Sequence, residues 1–321
     1  MVNIQSATGV AYPIPKIRAR HLTNDLDLAV DELGTLLDLT AQVKRYPKRF
    51  AHKLAGRYLA LLFEKPSLRT RMTFELAIKQ LGGDCVFTEY NGKRIGDREP
   101  IQDVARNLER WVQGIVARVY EQSTIEDLAR WSSVPVINAL SNQYHPCQAL
   151  ADLFTLRERF NVLQGLKLAF LGDGNNVAHS LMLCAARLGV HMTVCTPAAY
   201  QPDAEIVAKA RELAGSTGAS IELSGDPLGA VEAAHAVYTD VWASMGQEKE
   251  ARRRRKVFAP FQVTGHLMAA ARPEAIFMHC LPAHRGEEVT EEVLESPASV
   301  VFDQAENRLH AQKALLLGML S

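Results

Sequence analysis

The chain has 321 residues, 47% of them hydrophobic, and its 36 basic and 36 acidic residues give a formal net charge of zero. That length exceeds one ordinary core and suits two domains of roughly 150 residues each. Neutrality excludes a general polyanion binder, because nucleic-acid-binding domains carry a marked basic excess, while leaving room for a site that takes one small anion.

The five cysteines, Cys85, Cys147, Cys184, Cys195 and Cys280, form no C-x-x-C pair, a pattern of reduced thiols in a cytosol-like compartment. The first twenty residues look like neither an export signal nor a transit peptide. No apolar run approaches the roughly 20 residues that span a bilayer. A soluble, cytoplasmic protein without a membrane partner is expected.

Leucines at helical spacing among acids predict a surface helix over 22–44. The apolar run 57–65 predicts a buried strand, and TRMTFELAIKQLGG a helix stopped by glycines. DCVFTEY, GIVARVY and VPVINAL read as further strands, alternating with the helices IQDVARNLERWV and TIEDLARWS. Such alternation implies parallel βαβ units. HPCQALADLFTLRERF, 145–160, reads as one helix with Pro146 in its first turn. The alternation then resumes through LKLAFLG, a helix from about Val177, HMTVCT, EIVAKARELAGS, SIEL, GAVEAAH, AVYTD, AIFMHC and SVVFDQ. A helix, AENRLHAQKALLLGML, ends the chain. The expected fold class is α/β, with two tandem domains, each a parallel sheet flanked by helices, linked by interdomain helices. Five consecutive basic residues, 252–256, match a nucleic-acid patch. The glutamates before them favour a solvated helix or loop.

Open parallel sheets bind ligands at the carboxyl ends of their strands, and several motifs fall there. FEKPSLRTR offers helix-start N–H groups with Ser67, Arg69, Thr70 and Arg71, a donor set for phosphate, but lacks the glycines and lysine of a P-loop. A capped helix start with arginines in surface ion pairs is the plainer reading, but two arginines and two hydroxyls in five residues favour a phosphate site. Arg118 ends a strand, and alone reads as a surface ion pair. His145 and Gln148 share one helix face, where a histidine near the helix start tends to a lowered pKa. FLGDGNNVAHSL lacks the third glycine of a dinucleotide fingerprint. In TDVWASMGQ, Asp240 at a strand end is suited to a cationic amine. FMHCLPAHRGEE sets His279, Cys280 and His284 at spacings open to a zinc site, a thiol nucleophile or a backbone turn.

Taken in order, SLRTR, ARVY, HPCQ, GDGNN, DVWASMGQ, HCLP and AENR closely resemble the ornithine branch of the aspartate/ornithine carbamoyltransferase family, from about residue 20 to the C-terminus. The resemblance implies transfer of the carbamoyl group of carbamoyl phosphate to the δ-amine of L-ornithine, giving L-citrulline and phosphate, in arginine metabolism. It implies a carbamoyl-phosphate domain, 1–144, an ornithine domain, 145–305, and a last helix, about 306–321, packing back on the first. Ser67, Leu68, Arg69 and Thr70 with Arg118 would hold the phosphate, and His145, Gln148, Cys280, Leu281 and Arg308 would surround the carbamoyl group. Asn176, Asp240, Ser244 and Met245 would hold ornithine. Arg69, His145 and Arg308 would polarise the carbonyl while Asp240 and Cys280 position the amine.

A homotrimer is the family's usual unit, and the loop NGKRIGDREP makes Arg94 the candidate donor into a neighbour's site. The resemblance implies no cofactor and no metal, a cis Leu281–Pro282 bond that turns Cys280 toward the reacting carbons, and His279 pointing the other way. The basic run after SMG would belong to a lid with its charges in solvent. Leu68 stands where the family most often has threonine, which keeps open a sister enzyme using an acylated ornithine; putrescine is the other alternative acceptor, and the intact SMG argues against both. A catalytically silent regulator on the same fold is the reading from another class.

Overall fold

The computed structural model describes residues 14–243 and 248–321. Four parallel strands, β1 (Tyr58–Phe63), β2 (Asp84–Glu89), β3 (Gly114–Arg118) and β4 (Val136–Leu140), form the first sheet in the order β2-β1-β3-β4. Five parallel strands, β5 (Lys167–Leu171), β6 (His191–Cys195), β7 (Ile221–Ser224), β8 (Ala236–Thr239) and β9 (Ile276–His279), form the second in the order β7-β6-β5-β8-β9. Helices cover both faces of such sheets, so central strands such as β1 and β3 are buried almost throughout and read as continuous apolar runs.

Around the first sheet lie α1 (Val30–Arg45), α2 (Leu68–Gln80), α3 (Ile101–Leu108) and α4 (Gln122–Trp131). Between the sheets runs α5 (Pro146–Phe160), with Pro146 in its first turn. The second sheet carries α6 (Asn176–Arg187), α7 (Ala204–Gly215), α8 (Pro227–Val231), α9 (Ala251–Phe258), α10 (Gly265–Ala270) and α11 (Glu291–Leu294). The chain closes with α12 (Val301–Leu320), which packs on α5, α1 and α2. Its Gly318 carbonyl accepts the Ile17 N–H at 3.0 Å.

Two sequence expectations are corrected. The helix expected over 22–44 begins at Val30. Asp27 takes the N–H groups of Thr23 and Asn24, a local turn that competes with helix, and Leu22 pairs as a bridge with Ile137. Glu32 then reaches back to the Ala29 N–H and starts the helix there. SVVFDQ is not a strand: Ser299 makes one isolated bridge to Phe277, and α12 starts two residues later.

In each sheet the crossovers diverge at one pair of neighbouring strands, β1 with β3 and β5 with β8. Crevices form at the carboxyl ends of such pairs. The turn after β5 needs its glycines: Gly172 has φ +135°, and a Cβ on Gly174 would collide with the backbone of Gln201 and Pro202. No helix of the described residues is long and apolar enough to cross a membrane.

A buried knot ties the N-terminal segment to the second half. Asp25 accepts the Ser180 hydroxyl at 2.5 Å, while Arg187 donates to the carbonyls of Asp25 and Leu28. Burial pushes the Asp25 carboxyl up to about 6, against hydrogen bonds from Ser180 and Cys184. A raised carboxyl leaves the folded state holding more protons than the unfolded one between the two pKa values, so this group's contribution falls as pH rises from about 4 to about 6. The stability of the wild type relative to Asp25→Asn, measured by urea unfolding, should therefore decline across that window and flatten above it. A difference independent of pH would contradict this.

Candidate active site

One cavity of about 380 Å³ opens where the two crevices face each other. Lys65, Ser67, Leu68, Arg69 and Arg118 line it from the first sheet, His145 and Gln148 from α5, and Arg308 from α12. Asn176, Asp240, Cys280 and Leu281 line it from the second half. Ser67 is the N-cap of α2, accepting the Thr70 N–H at 3.2 Å, so the first-turn N–H groups point at the cavity with the positive end of the helix dipole behind them. Leu68 carries its side chain 74% exposed at the mouth.

The cationic wall is not neutralised. No carboxylate lies within ion-pair distance of Arg69, Arg118 or Arg308 among the described residues. Burial pushes the Arg118 guanidinium down to about 9, helped by repulsion from Arg308 and Arg69, which still leaves it charged at neutral pH. Arg308 is lowered for the same first reason and is held by the Thr70 hydroxyl at 2.8 Å. On the described residues that line the cavity, four buried polar atoms lack a partner: the Nε atoms of Arg118 and Arg308, His145 Nδ1 and Gln148 Oε1. An unsatisfied buried group costs about 1–3 kcal/mol, so together they specify a ligand with several acceptors and at least one donor.

The middle of the cavity is uncharged. Burial holds His145 well below the usual histidine range, with Arg308 and Arg118 adding repulsion. Burial, rather than its helix-start position, is therefore the main cause. His145 sits as the N-cap of α5 with its N–H on the Ser180 hydroxyl at 2.8 Å. The Cys280 thiol is pushed far up by burial and then by Asp240, to which it donates at 3.0 Å. Among the described residues Asp240 is the only carboxylate on the lining, and Asn175 donates to its other oxygen at 2.7 Å.

A family model described as the carbamoyl-P binding domain of aspartate/ornithine carbamoyltransferase matches residues 20–158, and its Asp/Orn binding domain counterpart matches residues 164–319. The chain belongs to this family. It is 52% identical over 292 residues to the ornithine carbamoyltransferase of Thermococcus kodakarensis, covering 90% of this chain and 93% of the relative. The anabolic ornithine carbamoyltransferase of Pyrococcus furiosus is 50% identical at the same coverage. A solved structure of the P. furiosus enzyme superposes with a TM-score of 0.91 at 49% identity, covering 94% of this chain and 97% of that one. The Gloeobacter violaceus ornithine carbamoyltransferase structure gives 0.87 at 45% identity, covering 95% and 100%.

Several motif residues of the family lie elsewhere than expected. Thr70 is turned inward on Arg308 and does not line the cavity, and Arg71 pairs with Glu75 over the Phe87 ring. Arg94, expected to serve a neighbour's site, stacks on Tyr120 near Glu64 and Glu121 and does not line its own cavity. Asn176 lines the cavity but spends its amide on the Ser141 carbonyl, leaving Asn175 as the partner of Asp240. Ser244 and Met245 lie outside the described residues. Lys65, which the motif reading missed, lines the cavity at the end of β1, and burial pushes its amine down to about 8.

The Leu281–Pro282 bond is cis, and Leu281 has φ +57°. His279 does not point away from Cys280 as alternation would have it: potential ligand atoms of Asp240, His279 and Cys280 lie within 4.8 Å of one another. Strand β9 ends at His279, so the period of two no longer applies beyond it. The imidazole is nonetheless fully engaged. Nδ1 accepts the Leu281 N–H at 2.8 Å and Nε2 faces Glu288 at 3.1 Å, leaving no lone pair for a metal.

The basic run is likewise not all in solvent. Arg252, Arg253 and Lys256 are exposed and Arg255 pairs with Glu287, but Arg254 is buried against Asp173 at 2.7 Å and the Trp242 carbonyl at 2.8 Å. It thereby ties α9 to the turn after β5. Arg254→Met leaves Asp173 buried and unpaired, and should lower stability by about 3–5 kcal/mol in urea unfolding. Arg253→Met should stay within about 0.5 kcal/mol of wild type.

Proposed function

We propose that the chain transfers the carbamoyl group of carbamoyl phosphate to the δ-amine of L-ornithine, giving L-citrulline and phosphate. The observation that carries this is the charge order of one cavity: three unpaired guanidinium groups at one end, neutral His145, Gln148 and Cys280 in the middle, and Asp240 at the other. A phosphate dianion, a small planar amide and a cationic amine follow the same order. The P. furiosus relative is described as anabolic, and we take the same biosynthetic direction for this chain.

In this reading Ser67, Arg69, Arg118 and the N–H groups of Leu68 and Arg69 hold the phosphate, while Thr70, whose N–H donates to Ser67 and whose hydroxyl accepts from Arg308, supports that wall from behind. Leu68 then acts through its backbone, and the loss of a side-chain hydroxyl there matters little. Arg308, His145, Gln148 and the Leu281 carbonyl hold the carbamoyl group. Asp240 with Asn176, Ser244 and Met245 holds ornithine. The acceptor amine has an ordinary pKa near 10.4 and must lose a proton before it attacks. Asp240 draws the ammonium into place. As the amine attacks the carbamoyl carbon, negative charge develops on the carbonyl oxygen, where Arg69, His145 and Arg308 supply donors; one such donor is worth roughly 2.7–4 kcal/mol in comparable sites. The attacking nitrogen gives up its extra proton to a phosphate oxygen, and the intermediate collapses by breaking the C–O bond and expelling phosphate onto the arginines.

Cys280 assists as a neutral thiol and forms no bond to the carbamoyl carbon. The sequence division falls at 144/145, with the phosphate site before it and the ornithine site after it. The working unit is a cytoplasmic homotrimer. Its support is the apolar strip of Leu68, Met72 and Leu76 on α2 beside Val86 on edge strand β2, all exposed in the single chain, and the five free cysteines. Arg94, outside its own cavity, would serve a neighbour's.

An assay of ureido product with carbamoyl phosphate and ornithine, putrescine, N-acetylornithine or aspartate should show citrulline from ornithine alone. Turnover of another amine would reassign the loop holding Ser244, and no product from any acceptor would favour a regulator. Cys280→Ser should lower kcat and shift its pH profile without abolishing turnover. A carbamoyl thioester trapped in the wild type would overturn the assisting role.

A further inference from the structure

Gln148, on the cavity lining, keeps its carbonyl oxygen free of any protein partner because a chain of hydrogen bonds leaves it no alternative. The chain starts at a backbone donor whose polarity is fixed. The His279 N–H donates to Gln304 Oε1 at 2.9 Å, so Gln304 must aim its Nε2 the other way. That nitrogen donates to Asp152 Oδ1 at 2.7 Å and approaches the Tyr238 hydroxyl at 3.2 Å. Tyr238, accepting there, sends its own hydrogen to Asp152 Oδ2 at 3.0 Å. Asp152, fully buried on α5, is thus an acceptor on both oxygens, and Gln148 one turn earlier must give it Nε2, at 2.7 Å. Gln148 Oε1 is left buried and unpartnered, on a side chain that lines the cavity.

We propose that Asp152 is a specificity-determining positioning residue: through Gln148 it makes this wall an acceptor, selecting a phosphorylated acyl group that bears –NH2 over one that bears –CH3. This rests on the carbamoyl phosphate reading above. The two donors Gln304 and Tyr238 come from α12 and β8, so the polarity of the wall is set by three elements meeting on one carboxylate. Burial pushes Asp152 up to about 6, against the three hydrogen bonds, which leaves it predominantly a carboxylate at neutral pH.

The test compares phosphonoacetamide with acetonylphosphonate, a stable pair that differs only in –NH2 against –CH3, by titration calorimetry at neutral pH. Wild type should bind the amide about tenfold or more tightly, the worth of one hydrogen bond that would otherwise leave a buried acceptor unmet. Asp152→Asn keeps an oxygen for Gln148 and Gln304 and should retain the preference. Asp152→Leu should diminish it severalfold by weakening the amide alone, with the methyl ketone unchanged to within about twofold. Should that variant fail to fold, Asp152→Ser, whose hydroxyl lets the Gln148 amide turn, gives the same comparison. Equal binding of the two analogues by wild type, or an undiminished preference in Asp152→Leu or Asp152→Ser, would overturn the inference and leave the phosphate site standing. Binding of neither would remove the phosphate reading and this inference with it.

Discussion

Arg69, Arg118 and Arg308 converge on one cleft from α2, β3 and α12 with no carboxylate in ion-pair reach among the described residues. Like charges gathered in a partly dry site oppose folding, because burial removes their hydration and nothing replaces it. The apolar packing behind them must supply the opposing free energy. That packing is the layer of α5 and α12 between the sheets, both buried over most of their length. Arg308 is therefore fixed where it is by the helix that carries it and by one hydroxyl, Thr70, with buried Asp152 attracting it from beyond ion-pair distance.

Across the cleft the electrostatics change sign in an ordered way. The middle is kept neutral by burial acting on two different groups, lowering His145 and raising Cys280. Neutral His145 and Cys280 leave Arg69 and Arg308 as the charged groups that meet the negative charge developing on a reacting carbonyl, with no further cation or anion added between them. Asp240 is steadied by Cys280, Asn175 and the Val241 N–H, so its two oxygens have a defined direction toward the cavity. Two ligands of opposite end-charge would then be held in register with their reactive atoms in the neutral zone, which is where proximity contributes most.

Much of this was legible in the sequence, and for definite reasons. Parallel strands buried on both faces announce themselves as short apolar runs, and the phosphate loop, HPCQ and HCLP sit at their ends. What was hidden depends on partners far away in the chain. The start of α1 was masked by leucines that continue the helical period through 22–28 while Asp27 holds the backbone in a turn. The choice between Asn175 and Asn176 is a matter of one residue at a helix cap, below the resolution of a motif. Four adjacent arginines look alike in sequence, yet only Arg254 meets Asp173. Asp152 gains meaning only when Gln304 and Tyr238 arrive from other elements.

The most direct test of the central claim is the thermal stability of Arg118→Met against wild type, each with and without inorganic phosphate. If the unpaired guanidinium cluster is held against its own repulsion for the sake of a dianion, the variant should melt higher than wild type in phosphate-free buffer. Phosphate should then raise the melting temperature of wild type in a saturating manner and leave the variant nearly unmoved. A variant that melts lower in the absence of phosphate and is stabilised by phosphate as much as wild type would show that Arg118 is a structural residue, and the account of the cleft would fail.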